Sequence, residues 1–200
     1  MRRQRLTANF IFNDRGFAES YARRHERYSR RMSGIIIRLL SESGFSGGRI
    51  LDAGCGPGYE AMSLRRAFPS AEVIGIDLSE PLLNFARRSA ENAGLRDGLR
   101  FETANVENIP YPDDSFDAVI SLFLWNVLAD PARMCNEIER VLKPGGRLIM
   151  IDLRRIWWLS LFEPATRRAY VIPEVFDLVK RTNLRPVQMQ RAVIWWCLTA

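Results

Sequence analysis

Short apolar runs alternate along this chain with longer stretches in which apolar residues recur every three or four positions. Strands that are buried on both faces read as short apolar runs, and the helices that cover them show the longer period. Strand followed by helix, repeated, is typical of a parallel sheet with helices on both faces. The apolar runs predict strands at 50–53, 72–77, 99–103, 116–121 and 147–153, and a terminal pair at 187–193 and 194–199. The longer stretches predict helices at 17–32, 35–41, 59–67, 79–92, 131–142 and 173–182.

The first predicted strand runs directly into a glycine-rich turn that contains Gly54, Gly56 and Gly58. Glycine accepts a positive φ and lets a ligand approach the backbone, and the helix that follows directs unpaired N–H groups toward the turn. The second strand ends in Asp77, a carboxylate that is able to accept hydrogen bonds from ribose hydroxyls. The glycines alone would suit an ordinary turn, but the two features together predict a nucleoside cofactor.

The turn departs from the fingerprint of dinucleotide-binding proteins, which has a third glycine for close packing of helix and strand. Tyr59 stands at that position, and Pro57 lacks the N–H that a pyrophosphate cradle uses. A nicotinamide dinucleotide is therefore not the expected ligand.

Four segments follow one another along the chain: ILDAGCGPG at 50–58, VIGIDLS at 73–79, FETANVENIPYPDDSFDAVIS at 101–121 and VLKPGGRLIMID at 141–152. Together they resemble the class I S-adenosylmethionine-dependent methyltransferases. The chain is most similar to their small-molecule branch, the type-11 methyltransferase domain, over residues 50 to 153. The resemblance implies a Rossmann-like, doubly wound α/β sheet of seven mostly parallel strands, the last antiparallel, with helices on both faces.

The resemblance also implies S-adenosylmethionine as the cofactor and S-adenosylhomocysteine as its product. Asp52 is expected to bind the ammonium group of the cofactor, directly or through water, and Asp77 to bind the ribose hydroxyls. Asn105 stands where the family usually has an acidic residue that accepts from the adenine amino group, and an amide carbonyl still accepts such a bond. The expected cofactor contacts are Tyr21, Asp52, Ala53, Gly54, Cys55, Gly56, Gly58, Asp77, Leu78, Asn105, Val106, Ser121 and Leu122.

Methyl transfer from a sulfonium is an in-line displacement, so the protein chiefly aligns the reactants and excludes water. We therefore expect neither a metal cluster nor a nucleophilic triad, and we assign no catalytic residue. Relatives often carry a histidine after the fourth strand, whereas this chain has Trp125 and Asn126, which we expect to line the acceptor. A general base, if one is used, would be Tyr21, His25 or Asp130.

Positive charge is concentrated at the N-terminus, where residues 1–49 carry 11 arginines against four acidic residues, and the rest is nearly neutral. A coding bias toward arginine, with the side chains simply solvated, explains such a distribution. Binding to an acidic partner or to an anionic surface is the alternative. We divide the chain into a basic helical cap at 1–48 and a methyltransferase core at 49–200. Within the core, we expect an aromatic-rich insertion at 154–172 to act as a lid; packing in the core and a dimer contact are the alternatives.

Three cysteines, Cys55, Cys135 and Cys197, show neither paired nor metal-binding spacing. No apolar run approaches the roughly 20 residues that span a membrane. We therefore expect free thiols, no metal, no transmembrane segment and a cytoplasmic location.

Three functions remain open. The first is methyl transfer to O, N or C of a small, apolar or aromatic acceptor, bound at the carboxyl ends of the fourth and fifth strands. The second is methylation of RNA or protein through the basic N-terminal arm. Against methylation of amino groups on nucleic-acid bases, the chain lacks the Asn/Asp-Pro-Pro-aromatic motif of the enzymes that carry it out. The third is cofactor binding without catalysis. The oligomeric state is open.

Overall fold

The computed structural model describes residues 12–155, 169–184, 188–192 and 195–200, and these residues form one sheet covered by helices. The strands are β1 (Arg49–Ala53), β2 (Glu72–Asp77), β3 (Leu99–Thr103), β4 (Phe116–Leu122), β5 (Leu142–Leu153), β6 (Gln188–Arg191) and β7 (Trp195–Thr199). The helices are α1 (Arg15–Glu42), α2 (Tyr59–Ala67), α3 (Glu80–Asn92), α4 (Pro131–Val141) and α5 (Ile172–Val179), with a 3-10 turn at Trp125–Val127.

The strand order is β3-β2-β1-β4-β5-β7-β6. Six strands run in one direction, and β7 is antiparallel to both of its neighbours, β5 and β6. The expected fold class is therefore confirmed. The order reverses between β1 and β4, and ligands of open α/β sheets bind in the crevice at such a point, beyond the carboxyl ends of the strands.

Side chains alternate along the strands between two apolar clusters, one on each face of the sheet. On β1, Ile50 faces the cluster shared with α1, α2 and α3, whereas Leu51 faces the cluster shared with α4 and α5. On β7, Trp195 packs against the first cluster and Trp196 lies within the second, since neighbouring residues of a strand point to opposite faces.

The N-terminal helix differs from the prediction. The sequence pattern predicts two helices, at 17–32 and 35–41, but the structure has a single helix of 28 residues. Gly34, between the two predicted segments, costs only about 1 kcal/mol within a helix. The buried stripe continues past it through Ile36 and Leu40, so packing on the sheet keeps the helix intact.

The first turns of α1 lie beside the glycine turn and the end of β2. The Tyr59 hydroxyl, at the start of α2, donates to the carbonyl of Ala22 at 3.3 Å. The Ser79 hydroxyl, just after β2, donates to the carbonyl of Phe12 at 2.6 Å. Both bonds bring α1 to the edge of the sheet where the cofactor is expected.

The strand β5 begins earlier than the predicted 147–153. Phe116 pairs with Leu142, and the next aligned pair is Ala118 with Arg147. Between these pairs, one residue of β4, at 117, lies opposite the four residues 143–146 of β5. The Lys-Pro-Gly-Gly segment at 143–146 therefore forms a bulge within the strand.

The insertion predicted at 154–172 lies mostly outside the described residues, which omit 156–168. The ends of that segment lie side by side, because Arg154 forms a β-bridge with Tyr170 and the N–H of Arg155 donates to the Tyr170 carbonyl at 3.2 Å.

The three cysteines of the chain are buried free thiols, as predicted. Within the described ranges, no helix has the length and apolar character needed to cross a membrane.

Candidate functional site

The turn between β1 and α2 is closed by hydrogen bonds from its own backbone N–H groups. Pro57 has no N–H to offer, so residues 54–58 present no free donor to a pyrophosphate, which agrees with the prediction against a dinucleotide. The bonds run from Gly54 and Cys55 to the Ile76 carbonyl at 2.8 and 2.9 Å, from Gly58 to the Cys55 carbonyl at 2.9 Å, and from Gly56 to the Asp77 carboxylate at 3.0 Å.

The three glycines of the turn have φ of 80°, 47° and 77°, but their surroundings differ. A Cβ on Gly58 would come within 2.7 Å of the Phe101 ring and 2.8 Å of Ala86, so this glycine lets the turn pack against β3 and α3. A Cβ on Gly56 would have no neighbour closer than 4.0 Å. Gly56 is therefore the glycine of the two with room beside its backbone.

Asp77 ends β2 and closes the turn from the other side. Its carboxylate accepts from the N–H groups of Gly56 at 3.0 Å and Ser79 at 2.8 Å, and each oxygen keeps a lone pair for a further donor. Burial raises the pKa of Asp77, and these bonds oppose the rise. Leu78 is 45% exposed, so an apolar surface lies next to the carboxylate.

Two more carboxyls are buried beside the turn. Asp52 is 1% exposed and Glu60 is 5% exposed, and each has one oxygen without a hydrogen-bond partner among the described residues. Burial raises the pKa of Glu60 to about 7. Burial, and then the charges of Glu60 and Asp77, raise the pKa of Asp52 well above its usual range.

This set of groups fits a positively charged nucleoside. Burying an ionised carboxyl without a partner costs several kcal/mol, and a cationic ligand would offset that cost. S-adenosylmethionine carries an ammonium and a sulfonium, and its ribose hydroxyls suit the carboxylate of Asp77. Asp52, Glu60 and Asp77 are thus the residues that would hold it.

Glu60 was missed by the sequence analysis. Its only signal is a carboxyl in the first turn of α2, where acids commonly favour the helix dipole.

Two of the expected adenine contacts have other partners. The side-chain carbonyl of Asn105 accepts from the N–H of Glu107 at 2.9 Å, which leaves one lone pair for a ligand. Val106 is 5% exposed and belongs to the core cluster on the α4 face. Its side chain is therefore a core residue rather than a free wall for the adenine ring.

Ala53 and Cys55 are also buried. The Ala53 methyl lies in the core, so it would contribute to a ligand only through its backbone. The Cys55 sulfur lies 2.8 Å from the position of a Cβ on Gly75, so the thiol packs against β2, and burial raises its pKa well above the usual range.

Tyr21 lies within a group of aromatic side chains on the first turns of α1 and just before them. Its ring stacks on His25 at 4.0 Å and meets Phe12 edge-on at 5.1 Å. Burial raises the pKa of Tyr21 to about 12, with further contributions from the charges of Glu60 and Asp77. Those contributions place Tyr21 close to the carboxyls of the candidate cofactor site.

Trp125 is buried after β4. The side chain is 1% exposed, and its indole N–H donates to the Met150 sulfur at 3.1 Å. Its ring also meets that of Trp196 edge-on at 4.9 Å. Trp125 therefore packs in the core, and its place in the wall of the acceptor site stays a prediction. Asn126 is half-buried with a side-chain oxygen that lacks a partner among the described residues, and stays a candidate.

The carboxyl end of β4 otherwise carries Ser121, which is 2% exposed, and the half-buried Leu122. Asp130, one of the three candidate bases, is exposed and accepts from the N–H groups of Ala132 and Arg133 as the N-cap of α4. This role in capping α4 argues against Asp130 as a base for the acceptor.

Two residues near the ends of β4 and β5 were missed. The Tyr28 hydroxyl is buried without a described partner, and its ring lies 5.2 Å from that of Phe123. Asp152 is 2% exposed and accepts from the N–H groups of Trp125 at 2.7 Å and Leu153 at 2.6 Å. Burial raises its pKa to about 7. A carboxyl within an apolar strand was the available signal for Asp152.

A cleft lies elsewhere, between α4 and α5, and is lined by Glu139, Phe176 and Lys180 among others. It opens near the end of α4 that leads into the start of β5, and none of the predicted site residues lines it. We therefore place the candidate site at the glycine turn and not at this cleft.

The sheet order and the site together define a Rossmann-like protein that binds a nucleoside cofactor. The sequence profile of the family described as "Methyltransferase domain" matches residues 51–150, which is half of the chain. The chain belongs to this family, within the class I S-adenosylmethionine-dependent methyltransferases.

Individual relatives agree with this assignment. A demethylmenaquinone methyltransferase from Thermus thermophilus is 43% identical over 104 residues, which is 52% of this chain and 46% of that protein. The chain spans about half the length of the curated relatives it matches.

Solved structures share the fold. A S-adenosylmethionine-dependent methyltransferase from Aquifex aeolicus superposes with a TM-score of 0.72 at 24% identity, over 82% of this chain and 87% of that one. The [4+2]-cyclase SpnF superposes with a TM-score of 0.68 at 27% identity, over 78% of this chain and 59% of that one.

Proposed function

We propose that this chain transfers the methyl group of S-adenosylmethionine to a small, apolar or aromatic acceptor. The observation that carries the cofactor half of the proposal is the pair of buried carboxyls, Asp52 and Glu60, each with an unpartnered oxygen. When bound, the cofactor supplies a methyl group on a sulfonium, an already activated leaving group. The work of the protein is then to orient both reactants and to keep water out.

The residues around the turn divide the binding of the cofactor between them. Asp77 would accept from the ribose hydroxyls, and the exposed side chain of Leu78 would cover the adenine ring. Asp52 would bind the ammonium group. Gly56, with open space where a Cβ would stand, lets the ligand approach the backbone.

The acceptor half of the proposal rests on Tyr28 and Phe123, near the carboxyl ends of β4 and β5. Burial raises the pKa of Tyr28, so its hydroxyl keeps its proton at neutral pH and is able to donate a hydrogen bond. The Phe123 ring beside it would cover an apolar surface of the acceptor. An aromatic ring that bears an oxygen satisfies both groups, and the name of the Thermus relative points to such a ring. We therefore favour a hydroquinone-like or phenolic acceptor.

Of the candidate bases, His25 fits best. The high pKa of Tyr21 keeps that phenol protonated at neutral pH, and Asp130 caps α4. One ring nitrogen of His25, Nδ1, lies 2.8 Å from the Tyr21 carbonyl, to which it would donate, so Nε2 would carry the basic lone pair.

A labelled-methyl assay tests the proposal. The chain is incubated with methyl-labelled cofactor and, separately, with short-chain 1,4-naphthohydroquinones, phenols, amines and mixed RNA. We expect label on a hydroquinone or phenol, and none with a variant whose cofactor site is disrupted at Asp77. Label on amines or RNA alone would reject the proposed acceptor class.

The outer face of α1 supports a second candidate, methylation of RNA or an acidic protein. Arg24, Arg27 and Arg31 lie on one stripe of the helix, all three are exposed, and none forms an ion pair within the described part of the chain. Contacts to phosphates make affinity fall steeply with ionic strength. Negligible binding of mixed RNA in a filter assay at low salt would remove this candidate.

The third candidate is a cofactor-binding protein that does not transfer methyl groups, and the name of the SpnF structure assigns a different reaction to that neighbour. This candidate predicts that the cofactor raises the melting temperature while no acceptor in the panel becomes labelled. One robust methylated product would dismiss it.

The domain assignment is part of the same proposal. We infer that residues 1–48 cap the core and that 154–172 close over the acceptor, in a cytoplasmic enzyme. Replacing 156–168 by a short glycine linker tests the lid, since unchanged turnover with intact cofactor binding would exclude it. The adjacent ends of this segment, Arg154 and Tyr170, allow a short linker to span it.

A further inference from the structure

Asp52 and Glu60 form a pair of buried acids on neighbouring elements. Asp52 lies on β1 near the N–H of Ala61 at the start of α2, and Glu60 lies near the side chain of Ser29 on α1; each neighbour lowers the pKa of the acid it faces. The two carboxyls are close enough for the charge of Glu60 to raise the pKa of Asp52. One oxygen of each remains without a partner in the described ranges.

No positive charge compensates this pair within the described part of the chain. The groups that interact with Glu60 or Asp52 are acids, phenols, a thiol and a hydroxyl: Asp77 on β2, Cys55 in the turn, Tyr21 and Ser29 on α1, and Tyr59 on α2. Arg24 acts on Tyr21 but is absent from the interactions of both carboxyls. Buried carboxyls without a cation stay ionised only at a high cost in free energy, so they retain protons at neutral pH.

We infer that Glu60 is a second anionic contact for the ammonium group of the cofactor, beside Asp52, and that binding of the cofactor releases a proton from this pair. The inference rests on the proposed function, because it takes the cofactor to be S-adenosylmethionine. The ammonium would stabilise the ionised pair, and the displaced proton would pass to the solvent. The charge balance is complete, since one proton leaves as one cation enters.

The direction of the pH dependence follows from the state of the free protein. A carboxyl whose pKa lies at about 7 holds its proton below that pH, and the ammonium must then displace it. Affinity for the cofactor therefore falls as the pH is lowered, by about fivefold between pH 7 and pH 6 for one such group. The α-amino group of the ligand keeps its own proton in this window, with a pKa of about 7.7–8.0.

Calorimetry with S-adenosylhomocysteine tests the inference, because this product carries the ammonium but not the sulfonium. Titrations at pH 6.5 in buffers of different ionisation enthalpy count the protons that are released on binding. The unchanged protein should release between about half and one proton. Glu60→Gln leaves Asp52 as the single acid of the pair and should bind about tenfold more weakly at pH 7.5. Glu139→Gln, an exposed site on α4, is the matched control and should behave as the unchanged protein.

The melting temperature of the free protein separates a ligand contact from a structural role. If Glu60 is a ligand contact, Glu60→Gln removes a buried acid with one oxygen that lacks a partner in the described ranges, so it should raise the melting temperature by a few degrees while weakening binding. A lower melting temperature with unchanged affinity would mean that Glu60 only supports the fold, and would overturn the inference.

The remaining outcomes separate the inference from the proposed function. No heat with S-adenosylhomocysteine at millimolar levels would refute cofactor binding itself. Binding by the unchanged protein without proton release would refute only the inference. That measurement needs no substitution, so it decides the matter even if Glu60→Gln does not fold.

Discussion

Leu124 lies directly against Gly54: its two methyl carbons are 2.7 and 2.8 Å from the position that a Cβ on residue 54 would take. Leu124 follows Phe123, a bulky residue with φ of 53°, whose N–H donates to the Ile151 carbonyl at 2.8 Å. A non-glycine residue in this region costs about 1–2 kcal/mol. The left-handed residue turns the chain at the end of β4, so that the segment after β4 packs onto the glycine turn after β1.

This contact predicts that Gly54→Ala is more destabilising than backbone strain alone explains. Gly44 has the same φ of 80° and open space around it, so Gly44→Ala measures the strain, about 1–2 kcal/mol. Gly54→Ala adds overpacking against Leu124 and should cost about 1–3 kcal/mol more in the free energy of unfolding. Urea denaturation measures both, and Gly54→Ala should cost less in a Leu124→Ala background. If Gly54→Ala and Gly44→Ala lower the free energy of unfolding equally, the contact between Leu124 and position 54 is contradicted.

Asp77→Asn should weaken the binding of S-adenosylhomocysteine about tenfold to hundredfold, or about 1.5–3 kcal/mol. The carboxylate accepts from two N–H groups, and an amide of the same shape is able to accept from only one of them. Calorimetry gives the affinity. Asp97→Asn, in the exposed loop before β3, is the control and should bind normally; a retained affinity in Asp77→Asn would refute the ribose contact.

Tyr28→Phe should lower kcat/KM for the acceptor about tenfold while leaving cofactor affinity and the free energy of unfolding nearly unchanged. The hydroxyl has no described partner, so its removal breaks no bond within that part of the fold. Tyr59→Phe is the matched control, because that hydroxyl donates to Ala22. It should lose about 1 kcal/mol of stability and keep its turnover. Normal turnover with a loss of stability in Tyr28→Phe would mean that the Tyr28 side chain only packs within the fold.

The free protein should be more stable at pH 5.5 than at pH 8. Burial raises the pKa of both Glu60 and Asp152 to about 7, so the folded state holds protons that the unfolded state has released. The retained protons contribute to the free energy of unfolding. This contribution is fully present below about pH 4, the pKa of such carboxyls in the unfolded chain, and is lost as the pH rises through 7. The loss is about 2 kcal/mol per group between pH 5.5 and 8. Surface acids with lowered pKa, such as Glu72 and Asp117, stay ionised throughout this window.

Thermal melts at the two pH values check this expectation. Saturation with S-adenosylhomocysteine should reduce the difference, since the ligand would hold Glu60 ionised. A melting temperature that rises with pH would show that the two carboxyls do not retain protons in the fold.

More of the cofactor half of the site than of the acceptor half could be predicted from the sequence. Gly56 and Asp77 are separated by only one strand and one helix. In a parallel sheet, a glycine turn and an acidic strand end at this spacing can be arranged in few ways. Tyr28 and Asp152 are 124 residues apart and meet only when α1 packs across the end of β5. The burial of Trp125 could not be predicted, because a residue after a strand is able to turn toward the core or toward solvent and the strand pattern has ended at that point.

The sequence by itself determined the alternation of strand and helix, the glycine turn at 54–58 and the carboxylate at its edge, whereas the direction of β7 followed only from the family resemblance. The first three depend on local backbone preferences and on short apolar runs, both of which are written in neighbouring residues. Only the tertiary structure decided that α1 is one helix, that Trp125 is buried and that Glu60 joins Asp52 without a cation. Those outcomes depend on which surfaces meet and exclude water, and burial of that kind is a property of contacts between distant residues.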